Sequence, residues 1–332
     1  MAWIPPEIQI DDNFRYLSFT YLGDTKTSLD MGLIMSGNTP LSLKTPRRQT
    51  MDIDYMNGTV DISWQTGQLH FDDRSITYNF ARYIQRGPDD TLDEMNAKCE
   101  AAIKEVTDWA VLSDDGRMYD SGAGTYSKVR MQSLNTQKAF SKEFWILNMQ
   151  IAFKTHPDLE NGWSYPQYVL PKTIINPEYD YLARTFTFDN RPAFDAYKLF
   201  VSGSTQLVDP PIKYRELTLP FVDGTENRGR FYGDTQISYT CNFFMDNNDN
   251  KNRMNWKCQA AVEHIMNWLY GVNSTDEYEG IQMKGTAKLE DTALGTFHLA
   301  RCTGLSVSKS MSPQYWILTY NITFTTYPKI TT

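Results

Sequence analysis

The chain is expected to be a mainly β, α+β protein: two tandem copies of an antiparallel, β-sandwich-like domain, each with one packed α-helix. Three observations carry this expectation: internal repetition, long runs with apolar residues at every second position, and one amphipathic helical stripe in each copy. Repetition is the strongest. Trp145–Pro157 (WILNMQIAFKTHP) matches Trp316–Pro328 (WILTYNITFTTYP) at seven of 13 positions, where unrelated segments of average composition agree at roughly one. Leu33–Thr39 pairs with Leu199–Thr205, Tyr55–Thr59 with Phe221–Thr225, Ile76–Tyr78 with Ile237–Tyr239, and Lys98–Trp109 with Lys257–Trp268, all in the same order. The separations are 166, 166, 161, 159 and 171 residues, so connecting loops have gained and lost residues while the elements were kept.

This divides the chain into a first domain over residues 1–158 with an N-terminal arm, a connector over 159–182, and a second domain over 183–332. Within the first copy, Met51, Ile53 and Tyr55 alternate and run into Asn57-Gly58; Leu217, Leu219 and Phe221 alternate and run into Asp223-Gly224 in the second. Both are expected as hairpin strands, because Asn, Asp and Gly tolerate the positive φ of tight turns. A helix follows. Leu92, Met95, Cys99, Ala102, Ile103, Val106, Trp109 and Ala110 fall on one helical stripe, and Thr91 with Glu94 has the spacing of a capping box. Cys258, Ala261, Val262, Ile265, Trp268 and Leu269 form the matching stripe. Each copy closes on a strand: Leu147, Met149, Ile151 and Phe153 alternate with polar neighbours, as do Leu318, Tyr320, Ile322 and Phe324.

Composition narrows the function classes. With 41% hydrophobic, 14% aromatic and 22% charged residues the chain has ample material for packed cores. No apolar run approaches the 18 or so residues of a membrane helix, and no membrane insertion is expected. The N-terminus lacks the basic start and apolar stretch of a secretory signal, so synthesis and folding in a cytoplasm, with reduced cysteines, are expected. Cys99, Cys241, Cys258 and Cys302 show no metal-ligand spacing and read as small buried hydrophobes. A net charge of -8 argues against a surface that holds nucleic acid, which needs Lys and Arg to neutralise phosphates.

Chemistry is hard to find. His70, His156, His264 and His298 fall at unrelated places in the two copies: Tyr327 stands where His156 does, and Glu105 where His264 does. No nucleophile elbow, phosphate loop, zinc-protease motif or dinucleotide fingerprint is present. Ser121–Gly124 reads as a loop, Asp246–Asn250 as a solvated connector rather than a calcium loop, and Asp72-Asp73 and Asp114-Asp115 as ordinary surface carboxylates. The loops around Asp114–Gly124 and Asn273–Gly280 are the long variable ones. No catalytic, cofactor-binding or metal site is assigned.

The run Phe19-Thr-Tyr-Leu-Gly-Asp-Thr-Lys-Thr-Ser28-Leu-Asp30-Met-Gly32-Leu-Ile34, followed by Pro40, Thr45-Pro46-Arg47 and Asn57-Gly58, resembles the distal tail proteins of long-tailed bacteriophages. The resemblance covers roughly the first 155 residues and reaches the second half through the duplication. It implies a virion structural protein and not an enzyme: a belt domain of the tail-tube type, assembled in the host cytoplasm into a ring around the tail channel. Its partners would be other copies of itself, the tail tube protein, and the tip, hub or receptor-binding proteins, with DNA only passing through. Such proteins usually carry a galectin-like second domain, whereas this one repeats the first. Six belt domains therefore need six chains in a homohexamer if the copies form two layers, or three in a trimeric hub with pseudo-sixfold symmetry. A lumen made acidic by the net charge is a further expectation.

Two other classes stand beside this. A carbohydrate- or receptor-binding β-sandwich would stack sugars on Trp3, Trp64 or Trp163, whereas Trp109, Trp145, Trp268 and Trp316, matched between copies, read as core. A cell-wall hydrolase would rest on unpaired carboxylates alone.

Overall fold

Alternation of apolar and polar side chains makes long strands here, and the strands hydrogen-bond into two main antiparallel sheets. The computed structural model describes residues 4–6, 8–11, 14–21, 24–36, 41–52, 57–64, 68–112, 116–141, 143–160, 185–204, 210–217, 226–278 and 280–328. The first copy runs β1 (Leu17–Tyr21), β2 (Asp24–Thr27), β3 (Leu33–Met35), β4 (Thr45–Pro46), β5 (Thr50–Met51), β6 (Val60–Asp61), β7 (Phe71–Asp72), β8 (Arg74–Gln85), α1 (Leu92–Val111), β9 (Gly116–Asp120), β10 (Gly124–Phe140), β11 (Phe144–Thr155) and β12 (Leu159–Glu160). The second runs β13 (Phe186–Phe188), β14 (Arg191–Pro192), α2 (Ala193–Tyr197), β15 (Phe200–Ser204), β16 (Ile212–Leu217), β17 (Glu226–Tyr232), β18 (Thr235–Asp246), α3 (Lys251–Tyr270), β19 (Thr275–Tyr278), β20 (Ile281–Lys284), β21 (Ala287–Asp291), β22 (Gly295–Met311) and β23 (Tyr315–Thr326).

The first main sheet has the order β2-β1-β9-β10-β11-β8-β3, and the second β14-β13-β21-β22-β23-β18-β15. Replacing each strand by its counterpart turns one order into the other. Agreement reaches single residues. A bulge between Met131 and Ser133 on β10 recurs between Cys302 and Gly304 on β22, each 171 positions on. Lys128 and Leu299, also 171 apart, both adopt positive φ, at 49° and 50°. The β10–β11 turn, where Ser141 Oγ donates to the Phe144 carbonyl at 2.7 Å, recurs with Ser312 and Tyr315 at 3.1 Å.

Each sheet is rolled. Phe19 on β1 and Phe153 on β11 lie three strands apart in hydrogen-bonded order, roughly 14 Å in a flat sheet, yet their ring centroids are 5.7 Å apart. Phe186 on β13 and Phe324 on β23 repeat the contact at 5.7 Å. Inside the first roll, Leu17, Tyr78, Phe80, Leu147, Met149 and Ile151 close against Met95, Cys99, Val106 and Trp109 of α1. The α1 N-terminus carries the expected capping box: the Thr91 side chain accepts from the Glu94 amide at 3.3 Å, and Glu94 accepts from the Thr91 amide at 2.8 Å.

Two compact units result: one is Met1–Thr45, Asp72–Val169 and Asn248–Glu263, the other Pro46–Phe71, Leu170–Asn247 and His264–Thr332. Buried polar contacts explain the exchange of segments. In the first unit Arg74, 1% exposed, donates to the Ser42 hydroxyl at 2.8 Å and to Glu263 at 2.6 Å, while the Ser42 amide donates to Gln259 at 3.1 Å. In the second unit Asp61 accepts from Arg48 at 3.0 Å, and Arg301 donates to Thr59 at 3.0 Å and Asp234 at 3.1 Å. The Arg74–Glu263, Ser42–Gln259 and Arg301–Thr59 contacts span 189, 217 and 242 residues and leave no local sequence signal.

Several expectations change. The second copy carries the short α2 in addition to its long helix, and the Asn273–Gly280 stretch holds β19 of a β19–β20 hairpin. The Asp114–Gly124 stretch contains β9, with Ser121–Ala123 as the turn into β10. Thr50 and Met51 pair with Asp61 and Val60 in a two-residue antiparallel ladder on either side of Asn57-Gly58. Gly58 has φ 69°, but its amide donates to the Tyr232 carbonyl at 2.7 Å, so the turn residues dock on β17. Ile53, Tyr55, Leu219, Phe221, Asp223-Gly224, Asp114-Asp115, Trp3, Trp163 and residues 161–182 of the connector lie outside the described residues.

Candidate functional site

The water-facing side of the central strands is the feature both copies share. Along β8, β11 and β10 the positions opposite the core include Thr77, Asn79, Asn148, Gln150, Asn135 and Gln137, which register places side by side. Gln150 donates across the strands to Asn79 at 3.2 Å. The charged residues of this face, Arg130 and Lys154, sit at one end and are neutralised by Asp73 at 3.1 and 3.8 Å. The equivalent face on β18, β23 and β22 carries Ser238, Thr240, Asn242, Thr319, Asn321, Thr323, Ser306 and Ser308. Its side chains are also cross-linked: Thr240 donates to Asn321 at 3.0 Å, Thr319 to Asn242 at 2.9 Å, and Ser238 and Thr323 share a hydrogen bond at 2.9 Å. Charge enters those positions only toward the ends, at Asp246 on β18 and at Arg301 on β22, which stands opposite Thr325 as Arg130 stands opposite Lys154 and is met by Asp234 at 3.1 Å. A chain with 22% charged residues thus presents two sheet faces whose middle rows are amides and hydroxyls, with charged and apolar side chains such as Arg130, Arg301, Ile146 and Ile317 toward the ends.

Beneath each face lies a buried carboxylate at the end of the ninth strand or its counterpart. Asp120 is fully buried, forms an ion pair with Arg15, and accepts from Tyr78 Oη at 2.6 Å and the Gly122 amide at 2.8 Å. Burial opposes the Arg15 charge, but Asp120 outweighs it and the guanidinium pKa is raised. Burial, then Asp120, push the Tyr78 hydroxyl far above its usual range, so it stays a donor. Asp291 repeats the arrangement, accepting from Tyr239 Oη at 2.7 Å and from the Ala293 and Leu294 amides at 2.7 and 3.0 Å. These groups lie inside the fold and brace the turn that ends each strand.

The titratable residues singled out from the sequence are not brought together. His156 Nδ1 accepts from the Asp158 amide at 3.2 Å, His264 packs on Tyr197, and His298 stacks on Tyr278 at 4.4 Å. Burial, then Arg191, lower the His264 pKa. All four cysteines are buried, and burial drives the Cys241 and Cys302 thiols up to about 12. Trp109, Trp145, Trp268 and Trp316 are core residues as expected. Trp64 is not a surface platform: it is 9% exposed, and its indole fills the space above Gly285, leaving no room there for a Cβ. Asn250 is no simple connector either, since its side chain accepts from the Arg253 amide at 2.9 Å and caps α3. Among the described residues no group of three or more His, Cys, Asp or Glu side chains is placed to hold a metal ion, and no helix is long and apolar enough to cross a membrane.

A groove of about 580 Å³ opens elsewhere in the first unit, between the Phe14–Tyr16 segment, β9 and the start of α3. Sequence reading missed it because Trp256 and Tyr119 lie far apart in the chain and neither belongs to a recognisable motif.

No known protein family matches the chain, and no curated protein does. Among solved structures it is similar to the Dit protein of phage SPP1, described as a paradigm of the hub adsorption apparatus in phages that infect Gram-positive bacteria. The identity is 15%, the TM-score 0.28, and the match covers 45% of this chain and 54% of that one. The chain therefore spans about half the length of that structure.

Proposed function

We propose that the chain is a structural component of a bacteriophage tail, a ring at the distal end that joins the tail tube to the tip or receptor-binding apparatus. The observation that carries this reading is the pair of sheet faces, one in each copy, whose middle rows are uncharged amides and hydroxyls. Duplex DNA is held by cations that neutralise its phosphates. The middle of each face offers amides and hydroxyls and no free cation for DNA to stick to, because the cations toward the ends, Arg130, Lys154 and Arg301, are met by Asp73 and Asp234. The lining works by lack of adhesion, with the net charge of -8 carried elsewhere on the surface, instead of by the repulsion expected from composition. The motif residues Phe19–Ile34 support the same reading, since they contribute to β1 and β2 at one edge of the first sheet and to β3 at the other. Each chain brings two such modules, as a homohexamer in two layers or a trimer with pseudo-sixfold symmetry, and catalyses no reaction.

The test is immunogold labelling of intact virions of the encoding phage with antibody raised against the purified chain. Gold at the tail end away from the capsid is the expected result. Gold on the capsid, or virions that carry none of the chain, overturns the proposal.

A further inference from the structure

We infer that the groove of the first unit is a binding site for a neutral oligosaccharide, a function separate from ring formation. Its volume of about 580 Å³ falls within the roughly 300–1,000 Å³ of small-ligand sites. Four aromatic side chains line it: Phe14, Tyr16, Tyr119 and Trp256, each half-buried, so each ring is fixed in place with part of its surface open to the groove. Tyr16 and Tyr119 lie side by side with centroids 6.2 Å apart and planes at 60°, which gives the floor two differently tilted surfaces. Sugars present flat patches of C–H groups that stack on such rings, and rings of this kind contribute contact area at small entropic cost.

The polar groups complete the match. Asn252 donates to Ser121 Oγ at 3.2 Å, and that hydroxyl in turn accepts from the Tyr16 amide at 2.9 Å, so the amide is held in one orientation at the groove wall. The Tyr119 phenol, protonated at neutral pH like any tyrosine, supplies a hydrogen-bond donor and acceptor. Asp11 and Arg253 supply one charge of each sign. A wall with both signs gives no net preference for an acidic or basic ligand, and the mix of amide, carboxylate, guanidinium and phenol suits the alternating donors and acceptors of sugar hydroxyls. A proline-rich peptide would use the rings but few of these polar groups.

The test is isothermal titration calorimetry of the full chain with cellohexaose and with chitohexaose. At least one is expected to bind with a dissociation constant of millimolar or tighter. Trp256→Ala and, as a milder change in the half-exposed Asn252→Ala, each lower that affinity tenfold or more, while Gln150→Ser on the sheet face leaves it unchanged. Unaltered far-ultraviolet circular dichroism of each variant separates loss of binding from loss of fold. Absence of heat with both hexasaccharides, binding that survives both groove substitutions, or tighter binding of an acidic heparin hexasaccharide overturns the inference.

Discussion

At the scale of single residues, the buried Asp120 cluster states how the fold is held. Replacing Asp120 by Asn removes the partner of a buried guanidinium, and breaking a buried pair from one side costs about 3 kcal/mol or more. Urea unfolding is expected to show that loss, with a smaller one of about 1–2 kcal/mol for Tyr78→Phe, which leaves the carboxylate short of one donor. Cysteine chemistry follows from burial: Ellman's reagent is expected to find no rapidly reacting thiol in the native chain and all four after denaturation. His264 gives a pH signature. Its folded-state pKa lies below the ordinary value of about 6.5, because burial and Arg191 disfavour the imidazolium. The unfolded chain therefore takes up the proton first as pH falls, and the stability contributed by neutral His264 is present above about 6.5 and lost below it. The His264→Gln variant is expected to flatten that part of a plot of thermal midpoint against pH.

At the scale of elements, caps and faces can be tested separately. Thr91→Ala removes one side of the α1 capping box and is expected to cost about 1 kcal/mol in thermal or urea unfolding. Asn79→Lys, Asn148→Lys and Gln150→Lys together place cations in the middle of a neutral face while leaving the core untouched. Assembled rings of the triple variant are expected to retain linear duplex DNA in a salt-dependent manner, and wild-type rings to release it; equal release by both argues against this face as the passage. Much of this level was legible beforehand. Met149, Ile151 and Phe153 point inward because alternation on β11 has a period of two, and Cys99 and Cys258 share a helical stripe. The neutral faces were not legible, since Asn79, Gln150 and Asn135 become neighbours only through register. The groove was hidden for the same reason, as Tyr16, Tyr119 and Trp256 meet only after folding. Short strands such as β9 and β19 escaped because four or five residues contain too few alternations to distinguish them from loops.

At the scale of the whole molecule, the duplication is the organising fact. Equivalent bulges, turns and buried Tyr–Asp pairs mean that one chain carries two modules of the same geometry. Closed rings made of repeated modules cover strand edges that would otherwise pair indiscriminately. The central claim is that these modules close a ring, and native mass spectrometry with negative-stain microscopy of the purified full chain over a concentration series tests it most directly. The account expects an annular particle with sixfold or pseudo-sixfold outline and a mass of about 230 kDa for six chains or about 115 kDa for three, from 38.4 kDa per chain. A compact monomer at every concentration, both alone and with its tail tube protein, would contradict it.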